Sequence, residues 1–435
     1  MKPLISSICV ILLAYSSILL ISCSSGSIID DPDIYKNQVR EWIDRTAKNF
    51  QDSEAFKNLG IYYVQAKENE KAGYYLNRAL EENPNDPALI LYKGINLEFF
   101  NNQGEALNYY QRFSEVPEDS PYRDLLEGRY LWLKRQQAYS DIDSLAKEEQ
   151  LSFENVSDST IAVFPLIYYG TNKDYTPLSR GFSEMVSIDL AKVKNLTVLE
   201  RIRIQAVIDE LKFSQSSLVD QSTAPRAGKL LKAGTIVSGD YDISEKREFK
   251  INLGSWDVQS SERKSWVNES GDLGDLFELQ KRVVFAFLEK NGIELTQEEK
   301  EAIAYVATQN LDAFIAYSRG LMQEDAGNFN EAESFYQKAL DIDPYFNAAG
   351  DKVKSTQSIG KTNGTKDQLV SMLRTNDPVI KNEAINIVNN RLQSLGNNIS
   401  SNFVQGVDSR SPAQEQGFEN TLPPPPPPPP PPQKR

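Results

Sequence analysis

The sequence predicts an α+β multidomain protein, in which an α/β domain with a mixed sheet is flanked by α-helical repeats. Over residues 34–150 and again over residues 296–358, apolar residues recur with the spacing of amphipathic helices. Between them, over residues 151–292, short apolar runs typical of strands alternate with helical segments. The chain has 435 residues, 40% of them hydrophobic, which is enough for about two or three domains with cores of their own.

The composition excludes several classes of function. The chain contains no histidine, so a Ser-His-Asp or Cys-His catalytic group and a His-based zinc site cannot be built. Its two cysteines, Cys9 and Cys23, both precede the predicted folded part. The net charge of −14 disfavours nucleic-acid binding, which depends on Lys and Arg. We therefore expect no enzyme activity, no catalytic residue, no metal, no cofactor and no nucleic-acid partner.

The N-terminus has the layout of a secretory signal. A charged residue, Lys2, precedes an apolar run from Leu4 to Ile21. The run ends in the tetrad Leu-Ile-Ser-Cys, which closes at Cys23 and is followed by a polar, serine-rich stretch. A single transmembrane anchor is the alternative interpretation, because about 18 fairly apolar residues can just span a bilayer.

The tetrad resembles the bacterial lipobox. The resemblance implies a lipoprotein signal peptide over residues 1–22, lipidation of Cys23 and a tether over residues 23–33. Ser24 follows the lipidated position, which by resemblance to the enterobacterial sorting rule favours the outer membrane. The expected location is therefore the periplasmic side of the outer membrane, with a lipid anchor.

An internal repeat is visible in the first helical region, residues 34–150. A unit of about 34 residues begins at Ser53, and eight of its positions follow one pattern. The matching residues are Phe56, Leu59, Gly60, Tyr63, Ala72, Leu76, Ala79 and Pro84. They resemble the tetratricopeptide repeat, in which one helix pair buries its apolar face by stacking on its neighbours. A second unit starts at Pro87, and a degenerate third from about Pro121 keeps Gly128 and little else.

The same pattern returns in the second helical segment, residues 296–358, with a unit that starts at Ala313. The matching residues are Gly320, Gly327, Phe329, Ala332, Tyr336, Ala339 and Pro344. The sequence leaves two arrangements open. Either the residues between the two segments are an insertion into one array, or two arrays flank a core domain.

Four stretches of the middle segment, residues 151–292, carry a further resemblance. They are residues 161–166, 178–190, 198–201 and 228–240. Together they resemble the CsgG family of curli assembly proteins and its TolB N-terminal-like, FlgO-like and LpoB-like relatives. The resemblance implies an α/β domain that works in secretion or in envelope assembly. Residues 249–259 show two-sided alternation, which favours an ordinary sheet packed on one face over the long hairpins of a secretion channel.

The C-terminal part is predicted to end in a polar tail. Residues 365–396 have a helical pattern, and residues 397–435 have the composition of a disordered tail. Ten consecutive prolines, Pro423 to Pro432, predict a stiff polyproline II rod near the end. Such a rod can bind an aromatic-lined groove, although a solvated end is the simpler interpretation.

The first helix of each repeat usually lines a concave groove, so residues that project there are the predicted partner contacts. By repeat position they are Lys57, Ile61, Gln65, Leu91, Ile95, Glu98, Phe99, Arg129 and Trp132. Trp and Arg are frequent anchors at protein interfaces. For Phe99 and Trp132 the sequence equally allows packing between repeats.

These features predict a lipid-anchored scaffold of the outer membrane that binds other periplasmic or outer-membrane proteins in envelope assembly or curli-like secretion. The alternative is a subunit of a CsgG-type oligomeric secretion channel in the outer membrane. The scaffold interpretation leaves assembly into a homo-oligomer open, and both interpretations leave the role of the polyproline tail open.

Overall fold

The structure is a computed structural model, and it describes residues 32–147, 157, 159–211 and 224–377. Several predictions lie outside the described residues. They are the signal peptide, the lipidated Cys23, nearly all of the tether, the helical residues expected beyond 377, and the tail with its polyproline segment. The described residues do not test these predictions.

The chain divides into two compact units, residues 41–370 and residues 1–40 with 371–435. Of the second unit, the structure describes residues 32–40 and 371–377, which are helical up to residue 376. Among the described helices, none combines the length and the apolar character that crossing a membrane requires. All contacts discussed below lie within the unit of residues 41–370.

The first array is built from helix pairs, as the repeat pattern predicts. The helices are α1 (Pro32–Lys48), α2 (Ser53–Gln65), α3 (Asn69–Glu82), α4 (Pro87–Phe99), α5 (Gln103–Tyr110) and α6 (Arg123–Ala146). Helices α2 and α3 approach closely at Gly60, where a Cβ atom would lie 2.7 Å from the Leu76 side chain. Asp86 caps α4 by accepting a hydrogen bond from the backbone N–H of Ala88.

The middle segment forms one mixed sheet. Its strands are β1 (Thr160–Val163), β2 (Ile167–Tyr168), β3 (Thr197–Val198), β4 (Thr235–Ile243), β5 (Glu248–Asp257) and β6 (Arg263–Asp272). The strand order is β3-β1-β4-β5-β6, and β2 pairs with β4. β1 runs parallel to β3 and β4, whereas β4, β5 and β6 form an antiparallel meander. The mixed sheet predicted from the sequence is confirmed, although β2 was not predicted.

Helices cover both faces of the sheet. They are α7 (Leu178–Leu190), α8 (Arg201–Glu210), α9 (Ala224–Leu231) and α10 (Leu276–Lys290). Because successive side chains of a strand point to opposite faces, Ile161 and Val163 join the core with α7 and α10. Ala162, between them in sequence, joins a second core with α8 and α9. The sheet is therefore the middle layer of an α/β sandwich.

The second array packs directly on this sandwich. Its helices are α11 (Gln297–Ala304), α12 (Leu311–Asp325), α13 (Phe329–Ile342), α14 (Asn347–Thr362) and α15 (Lys366–Asn376). The Phe314 ring of α12 lies 5.7 Å from the ring of Phe182 in α7. It also lies 5.4 Å from the ring of Phe277 in α10. The repeat and the sheet consequently share one hydrophobic core.

The two arrays meet where α14 packs against α6. A Cβ atom at Gly128 of α6 would lie 1.9 Å from the carbonyl oxygen of Ser358 in α14. The degenerate third repeat therefore finds its second helix more than 200 residues downstream, and α14 also packs on α13. This contact favours the arrangement in which the α/β segment is an insertion into one array. The domain boundaries proposed from the sequence stay predictions.

Candidate interaction site

Most of the nine predicted groove residues lie inside the molecule or are paired within it. Three are apolar residues of the buried core: Ile61, Leu91 and Ile95. Gln65 is also buried, and its side-chain amide donates a hydrogen bond to the Tyr92 hydroxyl at 3.1 Å. Lys57 forms an ion pair with Asp86, with 2.6 Å between Nζ and Oδ2. These five side chains are therefore not exposed along an open groove, and partner binding by them stays a prediction.

Glu98 and Arg129 form a buried ion pair between α4 and α6. Arg129 Nη2 lies 2.6 Å from Glu98 Oε2, and the two side chains are 2% and 6% exposed. The Tyr110 hydroxyl donates to Glu98 Oε1 at 2.7 Å. Burial alone would lower the pKa of Arg129, but the hydrogen bond and the charge of Glu98 raise that pKa above its ordinary value. The pair is thus a structural link between neighbouring repeats.

A segment of the same chain covers this ion pair. Arg129 Nη1 donates to the carbonyl oxygens of Thr362 and Gly364, each at 2.9 Å. Trp132 Nε1 also donates to the Gly364 carbonyl at 2.9 Å. These carbonyls belong to the end of α14 and the turn after it, where Gly364 has a φ of 96°. The positive φ explains why glycine occupies this position.

The covering segment continues with Lys366, whose Nζ donates to the Glu98 carbonyl at 2.9 Å. The same ammonium lies 5.3 Å from the centre of the Phe99 ring. The expectation that Glu98, Phe99, Arg129 and Trp132 face an open groove is therefore corrected, because residues 362–366 contact all of them. Partner binding at these residues stays a prediction, and it requires that the segment be displaced.

A different concave site lies where α6, α7, α8 and the second array converge. It is a cavity of about 420 Å³. Apolar side chains form most of its wall: Leu131, Ile188, Ala191, Leu199, Phe329 and Ile359. Ile188 is 42% exposed, which is unusual for a large aliphatic side chain. We call this cavity the junction cavity; its size is within the range of protein sites that bind small molecules or peptide side chains.

Arg201 forms the polar end of the junction cavity. Its guanidinium contacts Glu184 of α7 at 3.4 Å and Glu324 of α12 at 2.8 Å, and it also pairs with Asp325. Arg180 pairs with the same Asp325 at 3.1 Å. The cluster ties the start of α8 to α7 and to the second array. The partners Glu324 and Asp325 lie more than 100 residues from Arg201, so the sequence could not identify them.

The buried charges shift the pKa values of this cluster. Burial alone would raise the pKa of Glu324, but Arg201 and Lys352 lower it to about 2. Tyr336 donates a hydrogen bond to Glu324 at 2.5 Å. Burial lowers the pKa of Arg180 to about 10, and the nearby charge of Arg201 acts in the same direction. At neutral pH the cluster is thus a network of charged side chains that is suited to holding elements together.

A second, more polar cavity of about 610 Å³ shares Arg135 and Asp325 with the junction cavity. Burial raises the pKa of Tyr139, at its wall, to about 12, and the hydroxyl donates to Asp209 at 2.6 Å. Over the described ranges, no group of three or more Cys, Asp or Glu residues has the geometry to hold a metal ion.

Residues 141–248 match the family model described as "Curli production assembly/transport component CsgG". The matched segment starts near the end of α6, includes β1 to β4 with α7 to α9, and stops at the start of β5. It thus contains α7 and α8, which form part of the wall of the junction cavity, and β3, whose Val198 also lines it. No curated protein matches the chain.

Similar solved structures include the C-terminal domain of LpoB from Salmonella enterica and from Escherichia coli. Each has 12% identity, covers 31% of this chain and 95% of that chain, and has a TM-score of 0.23. Yeast Tom70 has 14% identity, covers 76% of this chain and 66% of that chain, and has a TM-score of 0.22. Scores this low support no further statement. The resemblance to the CsgG family is confirmed for residues 141–248, about a quarter of the chain.

Proposed function

We propose that this protein is a lipid-anchored scaffold of the bacterial envelope. In this proposal, lipid on Cys23 holds it to the periplasmic side of the outer membrane, where it binds other periplasmic or outer-membrane proteins. The match to a curli assembly and transport family supports a role in envelope assembly or secretion. The lipobox-like tetrad that ends at Cys23 supports the anchor.

One observation carries the scaffold proposal: the CsgG-type segment and the repeats are packed into one body, with a cavity at their junction. The shared core and the Arg201 cluster hold the walls of this cavity in place. Rigid walls reduce the entropy that is lost when a partner binds. An apolar pocket with a charged end is suited to an apolar anchor side chain of a partner protein and a polar group next to it.

The test compares two substitutions in the full-length protein in its own cells. Ile188→Asp places a charge in the junction cavity, whereas Tyr345→Asp changes an 86% exposed residue elsewhere on the surface. After chemical crosslinking of intact envelopes, we expect the same co-purified proteins with the wild type and with Tyr345→Asp, and their loss with Ile188→Asp. Equal recovery with all three proteins would rule out the junction cavity as the partner site.

The anchor is tested separately with Cys23→Ser. We expect the wild type in the outer-membrane fraction and this variant in the soluble periplasmic fraction or, if processing fails, as a longer precursor. Mass spectrometry of the mature N-terminus then reports the acyl chains directly. A wild-type chain without lipid, with residues 1–22 still attached, would favour the transmembrane anchor instead.

A secretion-channel subunit is the second candidate, because the matched family model is described as an assembly and transport component. The two candidate functions require assemblies of different mass. A channel requires a closed ring of many copies in detergent, whereas a scaffold is expected as a monomer or a small oligomer. Light scattering of the detergent-purified protein distinguishes them.

A further inference from the structure

The cavity of about 610 Å³ lies between α6, α7, α8 and α12, and we call it the polar cavity. Two arginines line it, Arg135 of α6 and Arg180 of α7. Gln136, Asp209 and Met322 are also part of its wall and are exposed, so the cavity opens to solvent. Because its wall combines helices of the first array, the α/β segment and the second array, the polar cavity is distinct from the groove predicted within the first array.

Arg135 has no carboxylate partner in the part of the chain that the structure describes. Its Nη2 atom donates to the carbonyl oxygen of Asp325 at 2.7 Å, and its Nη1 atom donates to that of Glu324 at 3.3 Å. Nη2 also donates to the Tyr139 hydroxyl at 3.3 Å, and the guanidinium carbon lies 5.1 Å from the centre of that ring. These groups fix the guanidinium in position, but none of them carries a full negative charge to neutralise it.

Arg180 shares its carboxylate with another arginine. Asp325 Oδ2 lies 3.1 Å from Arg180 Nε, but Asp325 also pairs with Arg201. Arg180 Nη2 donates to the side-chain oxygen of Gln205 at 2.9 Å, which is a neutral acceptor. Burial lowers the pKa of Arg180 to about 10, and the charge of Arg201 adds to this effect. The lowered pKa indicates that the positive charge of Arg180 is incompletely compensated within the fold.

Asp209, at the rim of the polar cavity, is held by neutral donors. Its two carboxylate oxygens accept hydrogen bonds from the Tyr139 hydroxyl at 2.6 Å and from the Gln205 side-chain amide at 2.7 Å. Like charges repel, so Asp209 and Asp325 disfavour a ligand with two negative charges, such as a phosphate dianion. A carboxylate carries one negative charge, and its plane matches that of a guanidinium. The wall of the polar cavity therefore favours a carboxylate.

We propose that the polar cavity binds the carboxylate of an acidic side chain of a partner protein, with Arg135 and Arg180 as the hydrogen-bond donors. Hydrogen bonds between a guanidinium and a carboxylate are among the stronger ones in proteins. The polar cavity meets the junction cavity at Arg135 and Asp325. A partner whose apolar side chain fills the junction cavity thus places a neighbouring Asp or Glu in the polar cavity. This last step rests on the proposed function, whereas the carboxylate site itself does not.

Peptide binding tests the site. The full chain in mild detergent is titrated into fluorescently labelled pentaglutamate, and labelled pentaglutamine is the uncharged peptide of nearly the same shape. We expect saturable binding of pentaglutamate, measured by fluorescence anisotropy, with a Kd below about 1 mM, and no saturation by pentaglutamine. The net charge of −14 repels an acidic peptide at long range, so binding has to come from local contacts. Equal binding of the two peptides, or of neither, would overturn the inference.

Two neighbouring glutamines test the location of the site. Gln136 and Gln137 are both exposed on α6, but Gln136 lines the polar cavity and Gln137 does not. We expect Gln136→Lys to bind pentaglutamate about fivefold more tightly than the wild type, and Gln136→Glu to bind it about fivefold more weakly. The same changes at Gln137 are expected to alter the Kd by less than about twofold. Equal effects at both positions contradict the proposed location. Because both side chains are exposed, none of these variants removes a contact of the fold.

Removal of one guanidinium tests its role directly. We expect Arg135→Gln to weaken pentaglutamate binding at least about tenfold. Lys134→Gln is the matched control, because it removes the same charge from the preceding residue, which lines the junction cavity but not the polar cavity. Its expected effect is less than about threefold. Equal losses of affinity in both variants contradict a specific role of Arg135. If Arg135→Gln does not fold, the Gln136 and Gln137 variants decide.

Competition tests the class of ligand. At equal ionic strength, we expect acetate to displace pentaglutamate from the wild type at a lower concentration than inorganic phosphate does. Displacement by phosphate at the lower concentration would assign the polar cavity to a phosphate ligand and overturn the proposal. The scaffold function is tested separately by crosslinking of Ile188→Asp in cells. Peptide binding with unchanged co-purified proteins would contradict the scaffold proposal alone, and loss of those proteins without peptide binding would contradict the carboxylate site alone.

Discussion

Arg129 and Arg201 each join parts of the chain that are far apart in sequence. Arg129 links α4, α6 and the turn after α14, and its guanidinium is satisfied by a carboxylate and two carbonyl oxygens. Arg201 links α7, α8 and α12 through three carboxylates. A buried charge is stable only when it is paired in this way. Each arginine is therefore a point where the loss of one side chain affects several elements.

Removal of Arg129 is expected to be costly because Glu98 would stay buried without its partner. We expect Arg129→Met to lower the free energy of unfolding by about 3 to 5 kcal/mol, measured by urea titration. Lys361→Met is the control, since Lys361 of α14 joins Asp124 of the same helix α6 by an exposed ion pair. Its expected effect is about 0 to 1 kcal/mol. Similar losses of unfolding free energy in both variants would show that the buried Arg129 pair does not stabilise the fold more than the exposed pair.

The low pKa of Glu324 predicts a dependence of stability on pH. Its folded-state pKa of about 2 lies below its ordinary value of 4.5, because Arg201 and Lys352 favour the charged carboxylate. The stability that Glu324 contributes is therefore complete above about pH 4.5 and is lost as the pH falls towards 2. We expect Glu324→Gln, compared with the wild type by urea titration at several pH values, to show a smaller loss over this window. If the unfolding free energies of the variant and the wild type depend on pH in the same way, the low pKa of Glu324 is contradicted.

At the scale of elements, the contact between α6 and α14 decides how the arrays are joined. Gly128 permits the two helices to approach, because no side chain separates α6 from the backbone of Ser358. On α6, Asp124 and Arg129 add polar contacts to the end of α14: Asp124 accepts a hydrogen bond from Lys361, and Arg129 donates to the Thr362 carbonyl. The third repeat looks degenerate in sequence because its partner helix does not follow it directly. The second array completes it.

The Gly128 contact leads to a prediction with a built-in control. We expect Gly128→Ala to lower the free energy of unfolding by about 2 to 4 kcal/mol, since its Cβ would displace the backbone of α14. Gly104→Ala, in α5, meets no atom within 4 Å and is expected to be neutral or to stabilise by up to about 1 kcal/mol. Thermal or urea unfolding measures both. A harmless Gly128→Ala would contradict the close approach.

Elements whose signal is local could be predicted from the sequence, and contacts between distant elements could not. Strand β4 (Thr235–Ile243) lies in the segment for which the sequence predicts a sheet, because its apolar run and flanking turns are local signals. At Gly181, in contrast, a Cβ atom would meet Ser318 and Phe314 of α12, which lie more than 130 residues further along the chain. The reason is that a small residue marks a close approach without identifying the partner.

The candidate site, too, depends on contacts between residues that are far apart in the sequence. Repeat position predicted that Arg129 lines an open groove, whereas its side chain is buried and paired within the chain. The segment that covers it lies more than 230 residues further along the chain, so its presence could not be predicted from the repeat pattern. The junction cavity was missed because its walls come from three predicted domains.

For the whole molecule, the central feature is that one compact unit, residues 41–370, contains both arrays and the α/β sheet. Residues of β4, α7, α12 and α13 belong to one continuous core. A body of this kind is expected to unfold cooperatively, whereas a string of independent domains would unfold in steps. The scaffold proposal depends on this property, because a cavity at a junction keeps its shape only if the junction does not open.

Truncation tests the dependence of the sheet on the second array. A chain that ends at residue 295 lacks α12, so the apolar faces of α7 and α10 that pack on Phe314 become exposed. We expect this shortened protein to be aggregated or to bind a hydrophobic dye such as ANS, with a broad unfolding transition. A soluble monomer with a sharp transition would show that the α/β segment folds without the repeat.

The most direct test of the central claim is native-state amide hydrogen exchange of the wild type and of Gly128→Ala, resolved by peptide. If both arrays and the sheet are one cooperative body, this single change at the α6–α14 contact lowers protection by the same factor in α4, β4 and α13. Loss of protection confined to α6 and α14, with β4 and α13 unchanged, would contradict the claim and show that the arrays and the sheet open independently.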